Sequence, residues 1–111
     1  MLFRSLATLK RLRELKLTQT AVAGDLRFMS SLESLERLKL YNTKVKGADL
    51  ASLVGLAHLR ELDLGYTDIG ANGWAYLRQM KQLAWLRVSN CDDDELTALR
   101  AALPDCTIQR H

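Results

Sequence analysis

The chain has 111 residues, 48% of them hydrophobic and 26% charged, and a formal net charge of +3. This length and composition are typical of one soluble globular domain and exclude an intrinsically disordered chain. No run of 18 apolar residues is present, so the sequence predicts no transmembrane helix. With two cysteines and two histidines, a disulfide-dense scaffold is excluded and a compact zinc site is not expected.

The charge is distributed unevenly along the chain. Residues 1–46 carry ten basic and four acidic side chains, whereas residues 47–111 carry six basic and nine acidic side chains. Such an asymmetry can steer an oppositely polarised partner. A chance gradient over a solvated surface is the alternative interpretation.

The first thirteen residues are basic, contain no acidic side chain and have two interpretations. Phe3, Leu6 and Leu9 recur every three residues and continue in register to Leu12, which predicts a short helix over residues 1–11. The same basic, amphipathic composition resembles a mitochondrial presequence. A removable segment has no reason to share a register with the rest of the chain, so we favour the structural interpretation, and cleavage in an organelle stays open.

An eleven-residue pattern then recurs four times, with copies that begin at Leu12, Leu35, Leu59 and Leu83. Each copy reads L-x-x-L-x-L-x-x-T-x-V or a close variant, and the fourth has cysteine in place of threonine and lacks the last aliphatic residue. The copies are 23, 24 and 24 residues apart. Inside each copy, aliphatic residues alternate with polar ones, which is the period of a half-buried strand.

Between these strands the apolar residues recur every three positions. The three series are Leu26, Met29, Leu32 and Leu35, then Leu50, Leu53, Leu56 and Leu59, then Trp74, Leu77, Met80 and Leu83. This spacing predicts short α or 3₁₀ segments whose apolar side chains lie in the core. Gly24, Gly47 and the pair Gly70 and Gly73 are expected just before these segments, where the chain turns sharply.

The repeated pattern resembles the leucine-rich repeat, and the resemblance covers nearly the whole chain. It implies an α/β solenoid with a curved parallel sheet of about five strands on the concave side and short α or 3₁₀ helices on the convex side. Stacked coils of this kind bury one continuous aliphatic core. We expect a single domain over residues 1–111. Its parts are a truncated first-repeat helix at 1–11, repeats at 12–34, 35–58, 59–82 and 83–102, and a terminal strand at 103–111.

A small polar residue occupies the framework position after each strand, at Thr20, Thr43, Thr67 and Cys91. The chain is expected to turn inward there, so that a hydroxyl or thiol bonds the backbone of the neighbouring coil. In many relatives of this repeat asparagine has that role, and threonine is a shorter substitute.

The end of the sequence predicts a capped helix and the start of one more strand. The acidic run at residues 92–95 lacks the spacing of a calcium loop and is expected to offset the dipole of a helix N-terminus. Leu103, Cys106 and Ile108 resemble the start of a further copy, with Cys106 at the second framework position. That register separates Cys106 from Cys91 by more than a disulfide allows. We therefore expect two buried free thiols and an intracellular, reducing compartment, with the cytoplasm favoured over an organelle.

Outward residues of successive strands are expected to line up as columns across the concave face. One column contains Glu14, Arg37 and Glu61, and the next contains Lys39, Asp63 and Arg87. Their alternating signs predict two ladders of ion pairs between neighbouring strands. A self-neutralised, solvated sheet is the alternative to a binding surface.

Three aromatic residues, Tyr41, Tyr66 and Trp85, are predicted on this open face. Large rings there cost solubility without filling a core, and Tyr, Trp and Arg are the residue types that dominate binding hot spots. The predicted partner-binding residues are Tyr41, Tyr66, Trp85, Arg37, Lys39, Asp63 and Arg87. The alternative is that the rings cover aliphatic neighbours.

The sequence contains no phosphate-binding glycine loop, nucleophile elbow or zinc-protease motif, so we predict a protein without catalytic activity, cofactor or metal. The resemblance implies a module or scaffold that binds a protein partner through its concave face. One alternative is a small subunit of a larger assembly that contacts its neighbours through uncapped ends. A less favoured alternative is RNA or polyanion binding by basic side chains of the N-terminal half. Those side chains are Lys10, Arg11, Arg13, Lys16, Lys39, Lys44 and Lys46.

Overall fold

The computed structural model describes residues 11–17 and 27–110. The predictions made for the helix at residues 1–11 and for Lys10, Thr20, Gly24 and Leu26 lie outside the described residues. Among the described residues, no helix combines the length and the apolar character that a membrane crossing requires.

Five short parallel strands form one sheet in the order β1-β2-β3-β4-β5. The strands are β1 Glu14–Lys16, β2 Arg37–Lys39, β3 Glu61–Asp63, β4 Trp85–Val88 and β5 Thr107–Arg110. The first four keep the register of the repeat, because the second framework leucine of each copy pairs with its counterpart in the next. The predicted solenoid with about five parallel strands is therefore confirmed.

Short helical segments connect these strands on the convex side. They are the 3₁₀ segments η1 Arg27–Ser31 and η2 Gly47–Leu53, and the α-helices α1 Gly70–Leu77 and α2 Asp93–Ala102. In a 3₁₀ segment, residues three apart lie on the same side. Leu50 and Leu53 have this spacing and both are fully buried, which shows how the three-residue apolar period becomes the inner face of the convex layer.

One aliphatic core lies between the sheet and the convex layer. Strand residues such as Leu38, Leu62 and Leu86 belong to the same buried cluster as Met29 and Leu77 from the convex segments. Each fully buried aliphatic side chain contributes about 1.5–3 kcal/mol relative to an exposed one. Because the cluster runs from coil to coil, no repeat buries its inner face alone.

Thr43 and Thr67 connect neighbouring coils behind the strands. The hydroxyl of Thr67 donates to the carbonyl oxygen of Leu40, in the preceding coil, at 2.9 Å, and accepts the backbone N–H of Thr43 at 3.4 Å. The hydroxyl of Thr43 donates to the same carbonyl oxygen within its own coil. The thiol of Cys91 reaches only the carbonyl of Asp92, at 3.6 Å. The predicted bond between coils is therefore made by Thr67, and the prediction is wrong for Cys91.

Where the structure describes them, the glycines expected before the convex segments lie inside these segments instead. Gly47 and Gly70 are the first residues of η2 and α1, and Gly73 lies within α1. A Cβ atom on Gly47 would lie 2.2 Å from the carbonyl oxygen of Ile69 and 2.4 Å from the nitrogen of Gly73. Adjacent convex segments therefore pack backbone against backbone, whereas Gly70, with a φ of 65°, has the conformation expected of a turn residue.

The terminal strand begins two residues later than the repeat pattern predicts. Ile108 pairs with Leu86, so the prediction that Cys106 occupies the second framework position is wrong. A turn follows α2, in which the N–H of Cys106 donates to the carbonyl of Leu103 at 3.1 Å. Pro104 lies in this turn and has no N–H to give to a sheet, so the strand starts only after it.

Candidate functional site

Aromatic and charged side chains lie close together on the sheet face predicted as the binding surface. We call the predicted group the concave patch, and its members are Tyr41, Tyr66, Trp85, Arg37, Lys39, Asp63 and Arg87. The strand register aligns Arg37 with Trp85 through β3, and Lys39 with Arg87 in the same way. The structure therefore brings residues from three successive coils onto one surface.

Tyr41 and Tyr66 form the aromatic edge of the concave patch. Their ring centroids are 5.2 Å apart and their planes cross at 85°, which is an edge-to-face contact. Tyr66 is 57% exposed and is the one large hydrophobic side chain that is exposed among the described residues. Tyr41 is half-buried. The pair therefore places one ring at the surface and anchors it on a second ring.

The backbone of Tyr66 adopts the left-handed helical conformation, with a φ of 54°. The equivalent residues of the neighbouring repeats, Asn42 and Asn90, have φ values of 54° and 56°. Asparagine tolerates positive φ, whereas a bulky residue there carries a strain of about 1 kcal/mol or more. The N–H of Tyr66 donates to the Ser89 hydroxyl at 2.6 Å, which stabilises this conformation. The third repeat thus keeps a strained tyrosine where its neighbours have asparagine.

Arg87 connects Trp85 to Asp63. Its guanidinium carbon lies 5.4 Å from the Trp85 ring centroid, which is a cation–π geometry, and its Nη1 donates to an Asp63 carboxylate oxygen at 3.4 Å. The other Asp63 oxygen accepts the N–H of Gly65 at 2.9 Å. Asp63 is only 6% exposed, which corrects the prediction that its side chain lies on the open face. Its role in the patch is to orient Arg87.

Gly65 lies between Arg87 and Tyr41 in the concave patch. A Cβ atom at this position would lie 2.9 Å from Cδ of Arg87 and 3.0 Å from Cδ2 of Tyr41. Because Gly65 has no side chain, Arg87 and Tyr41 both pack onto its buried backbone. Sequence reasoning missed this residue, although a glycine in a column of larger outward residues is the signal that could have revealed it.

Only part of each predicted ion-pair ladder forms. The Nε of Arg37 donates to Glu61 at 2.8 Å, and this hydrogen bond raises the pKa of Arg37. Among the described residues, no ion pair joins Arg37 to Glu14 or Lys39 to Asp63. The carboxylate of Asp63 is already bonded elsewhere, so Lys39 has lost the partner that the alternating column predicted.

The acidic run after β4 acts as a helix cap. The side chain of Asp92 accepts the N–H of Glu95 at 2.8 Å, which is the N-cap bond expected of aspartate. Glu95 also pairs with Arg78, and Asp93 pairs with Arg110 at 2.6 Å. In the part of the chain that the structure describes, no group of three or more His, Cys, Asp or Glu could hold a metal ion.

Both cysteines are free thiols. Cys91 is buried, but Cys106 is only half-buried, so the expectation of two buried thiols is correct for Cys91 alone. Burial raises the pKa of Cys106 to about 11, and burial together with the charge of Glu95 raises the pKa of Cys91. Because the thiolate is the reactive form, neither thiol has the properties of an activated nucleophile.

The repeat, the parallel sheet and the convex helical layer define a leucine-rich-repeat protein. A family model described as Zer-1-like, leucine-rich repeats, matches residues 3–89. Because this match covers most of the sequence, the chain belongs to the Zer-1-like leucine-rich-repeat family.

The chain is also similar in structure to an internalin, InlF, from Listeria monocytogenes. The two proteins share 20% sequence identity with a TM-score of 0.47, and the similarity covers 96% of this chain and 44% of the internalin. The chain thus spans less than half the length of that protein. A search of curated protein sequences found no match.

Proposed function

We propose that this chain is a non-catalytic module that binds a protein partner through the concave patch. Its family supports a binding role, because stacked repeats form the extended concave surfaces that solenoid proteins use for recognition. The composition of the patch supports a protein as the partner, since tyrosine, tryptophan and arginine are enriched where protein interfaces gain most of their free energy.

The observation that carries this proposal is the exposed tyrosine at a strained position. Tyr66 combines a φ of 54° with 57% exposure, whereas the same position in the adjacent repeats holds asparagine. A side chain that costs stability and fills no core has its use outside the fold. Burial of this ring against a partner would recover the apolar surface that the free chain leaves in water.

Preorganisation of the neighbouring side chains supports the same surface. Arg87 is held between the ring of Trp85 and the carboxylate of Asp63, and Tyr41 holds the ring of Tyr66. Binding therefore orders few additional rotamers, and the entropic cost of ordering side chains at the interface is reduced.

The test compares the proteins that immobilised variants capture from native lysate, identified by mass spectrometry. Tyr66→Asn removes the ring and installs the residue that the neighbouring repeats have at this backbone conformation. We expect partners of the wild-type chain to lose at least about tenfold in affinity for this variant. Its stability should stay within about 1 kcal/mol of the wild type, because relief of backbone strain offsets the lost ring contact.

Arg100→Ala is the matched control, because Arg100 is exposed on helix α2. This helix belongs to the convex layer, whereas the patch lies on the concave face. It should retain every partner that the wild-type chain captures. Trp85→Ala provides a second concave variant that does not involve the strained backbone. If Tyr66→Asn and Trp85→Ala were both folded and captured the same proteins in the same amounts as the control, the proposed function would be wrong.

A further inference from the structure

The positive charge of the concave face is concentrated on two neighbouring lysines. Lys16 and Lys39 are direct register partners in β1 and β2, so they leave adjacent strands about 4.8 Å apart. Lys16 is exposed and Lys39 is partly exposed. Within the described ranges, neither lysine forms an ion pair. Like charges placed directly opposite destabilise a sheet, so the pair is a site where an added anion would relieve repulsion.

The acidic side chains near the lysine pair are already bonded or lie in another column. Asp63 is the register neighbour of Lys39, but its two oxygens bond Arg87 and Gly65. Glu61 bonds Arg37 in the column next to the lysines. The lysine column consists of Lys16, Lys39, Asp63, Arg87 and Gln109. It therefore contains three cations and one anion, and its excess positive charge lies at the lysine pair.

An aromatic surface adjoins the lysine pair on the same face. Tyr41 follows Lys39 by two residues, just after the end of β2, and its ring lies beside Gly65 next to Arg87 of the lysine column. Tyr41 in turn contacts the exposed ring of Tyr66. An extended occupant can therefore reach the lysines and the tyrosines with side chains a few residues apart.

We propose that the concave face recognises an acidic segment of its protein partner. A carboxylate of that segment lies between Lys16 and Lys39, and an apolar side chain of the same segment packs on Tyr66. This inference rests on the proposed function and names the chemical class of the segment that the concave patch binds.

The neighbouring column favours a protein segment over a nucleic acid as the anion. Glu14 is exposed and Glu61 is partly exposed one column away from the lysines. A phosphate backbone carries a charge at every nucleotide and needs basic contacts along its length. The exposed Glu14 interrupts such a row of contacts, and the charge of Arg37 is already paired with Glu61. An acidic peptide needs anionic groups only at the lysine pair.

The test uses short blocked peptides as probes, titrated into the isotope-labelled full chain and followed by NMR chemical-shift changes. The probes are acetyl-EEWEE-amide, its neutral analogue acetyl-QQWQQ-amide, its basic analogue acetyl-KKWKK-amide, and an eight-nucleotide oligouridylate. We expect the acidic peptide to bind about three- to tenfold more tightly than the neutral one. The shifted signals should include Lys16, Lys39 and Tyr66, and the preference should decrease as salt is added.

Charge-reversal variants assign the preference to the lysine pair. Lys39→Glu should abolish the preference of the chain for the acidic over the neutral peptide, and Lys16→Glu should reduce it. Lys44→Glu is the matched control, because Lys44 is exposed outside the strands and the substitution changes the net charge by the same amount. This control should keep the preference close to the wild-type value.

Two results of the probe titrations would overturn the inference. One is an acidic peptide that binds no better than the neutral or basic peptide, and the other is an oligouridylate that binds more tightly and shifts the same signals. Loss of lysate partners on Tyr66→Asn but not on Lys39→Glu would also overturn it while leaving the proposed function intact. Retention of all partners by every concave variant would overturn both.

Discussion

The central region, residues 35–82, and the last described region, residues 83–110, are built from the same kind of coil. The interactions that stabilise the two regions are different. The two central coils are joined by the buried hydroxyl of Thr67 and by the backbone contact between Gly47 and Gly73. The glycine contact has no equivalent among the described residues of the last coil, which is joined to the coil before it by the bond from the Tyr66 N–H to the buried Ser89 hydroxyl. That coil is held in addition by the Asp92 cap and by ion pairs such as that between Arg110 and Asp93.

This difference shows how the environment changes from the middle of the solenoid to the last described coil. A central coil is covered on both sides, so its connecting groups are buried, and a buried donor without a partner costs about 1–3 kcal/mol. Within residues 11–17 and 27–110, the last coil packs against a neighbouring coil on one side, and apart from the Ser89 bond its polar connections are largely exposed, where an ion pair contributes about 0.2–1 kcal/mol. Substitutions in the central coils should therefore cost more stability than equivalent substitutions in the last one.

The largest effect is expected for Gly47→Ala. The added Cβ would collide with the backbone of Ile69 and Gly73, which are atoms that cannot move away like a flexible side chain. We expect a loss of about 2–3 kcal/mol in the free energy of unfolding, measured by urea denaturation. Gly55→Ala is the matched control, because a Cβ there meets no atom within 4 Å, and it should be neutral or slightly stabilising. Equal stability of the two variants would contradict the close packing of the convex segments.

An intermediate effect is expected for Thr67→Val. This change keeps the shape of the side chain and removes the hydroxyl, so the buried N–H of Thr43 loses its acceptor and the coils lose the bond to Leu40. We expect a loss of about 1–2 kcal/mol in thermal or chemical unfolding. Thr107→Val makes the same change at an exposed position of β5 and should alter stability by less than about 0.5 kcal/mol. A Thr67→Val chain as stable as Thr107→Val would show that the hydroxyl does not connect the coils.

The smallest effect is expected in the last coil, for Asp92→Ala. The substitution removes the N-cap bond to Glu95 and should cost about 1 kcal/mol. Amide hydrogen exchange should show faster exchange in the first turn of α2 and unchanged exchange in the central coils. Asp94→Ala removes an exposed carboxylate from the same turn without removing the cap, so it separates the cap from the general charge effect. A larger loss for Asp94→Ala than for Asp92→Ala would contradict the capping role.

Most of the fold could be predicted from the sequence, but the last strand could not. The register of β1 to β4 follows from the repeated leucines, since a shift by one residue would expose the apolar side of each strand. At β5, both Cys106 and Ile108 fit an inward position, so periodicity alone does not choose between them. The turn that contains Pro104 makes the choice, because it takes up two residues before pairing begins.

The candidate site was predictable to the extent that it depends on register. Tyr66 was expected on the open face, and the structure exposes it there. The burial of Asp63 was not predictable, because it results from bonds to Arg87 in the next strand and to Gly65 two residues on. The αL conformation of Tyr66 was also missed, although Asn42 and Asn90 at the equivalent positions indicate it.

The repeat, the alternation of strand and convex segment, and the outward columns all follow from the order of the amino acids. These features depend on the spacing of residues within one repeat of about 24 residues, which can be read directly from the sequence. Three features emerge only from the folded chain: the hydroxyls that join neighbouring coils, the carboxylate that orients Arg87, and the lysines of the described strands that form no ion pair. Those features depend on contacts between side chains of neighbouring coils. A side chain that bonds one neighbour is no longer available to bond another. For that reason Asp63 is buried beside Arg87, and Lys39 forms no ion pair with the described residues.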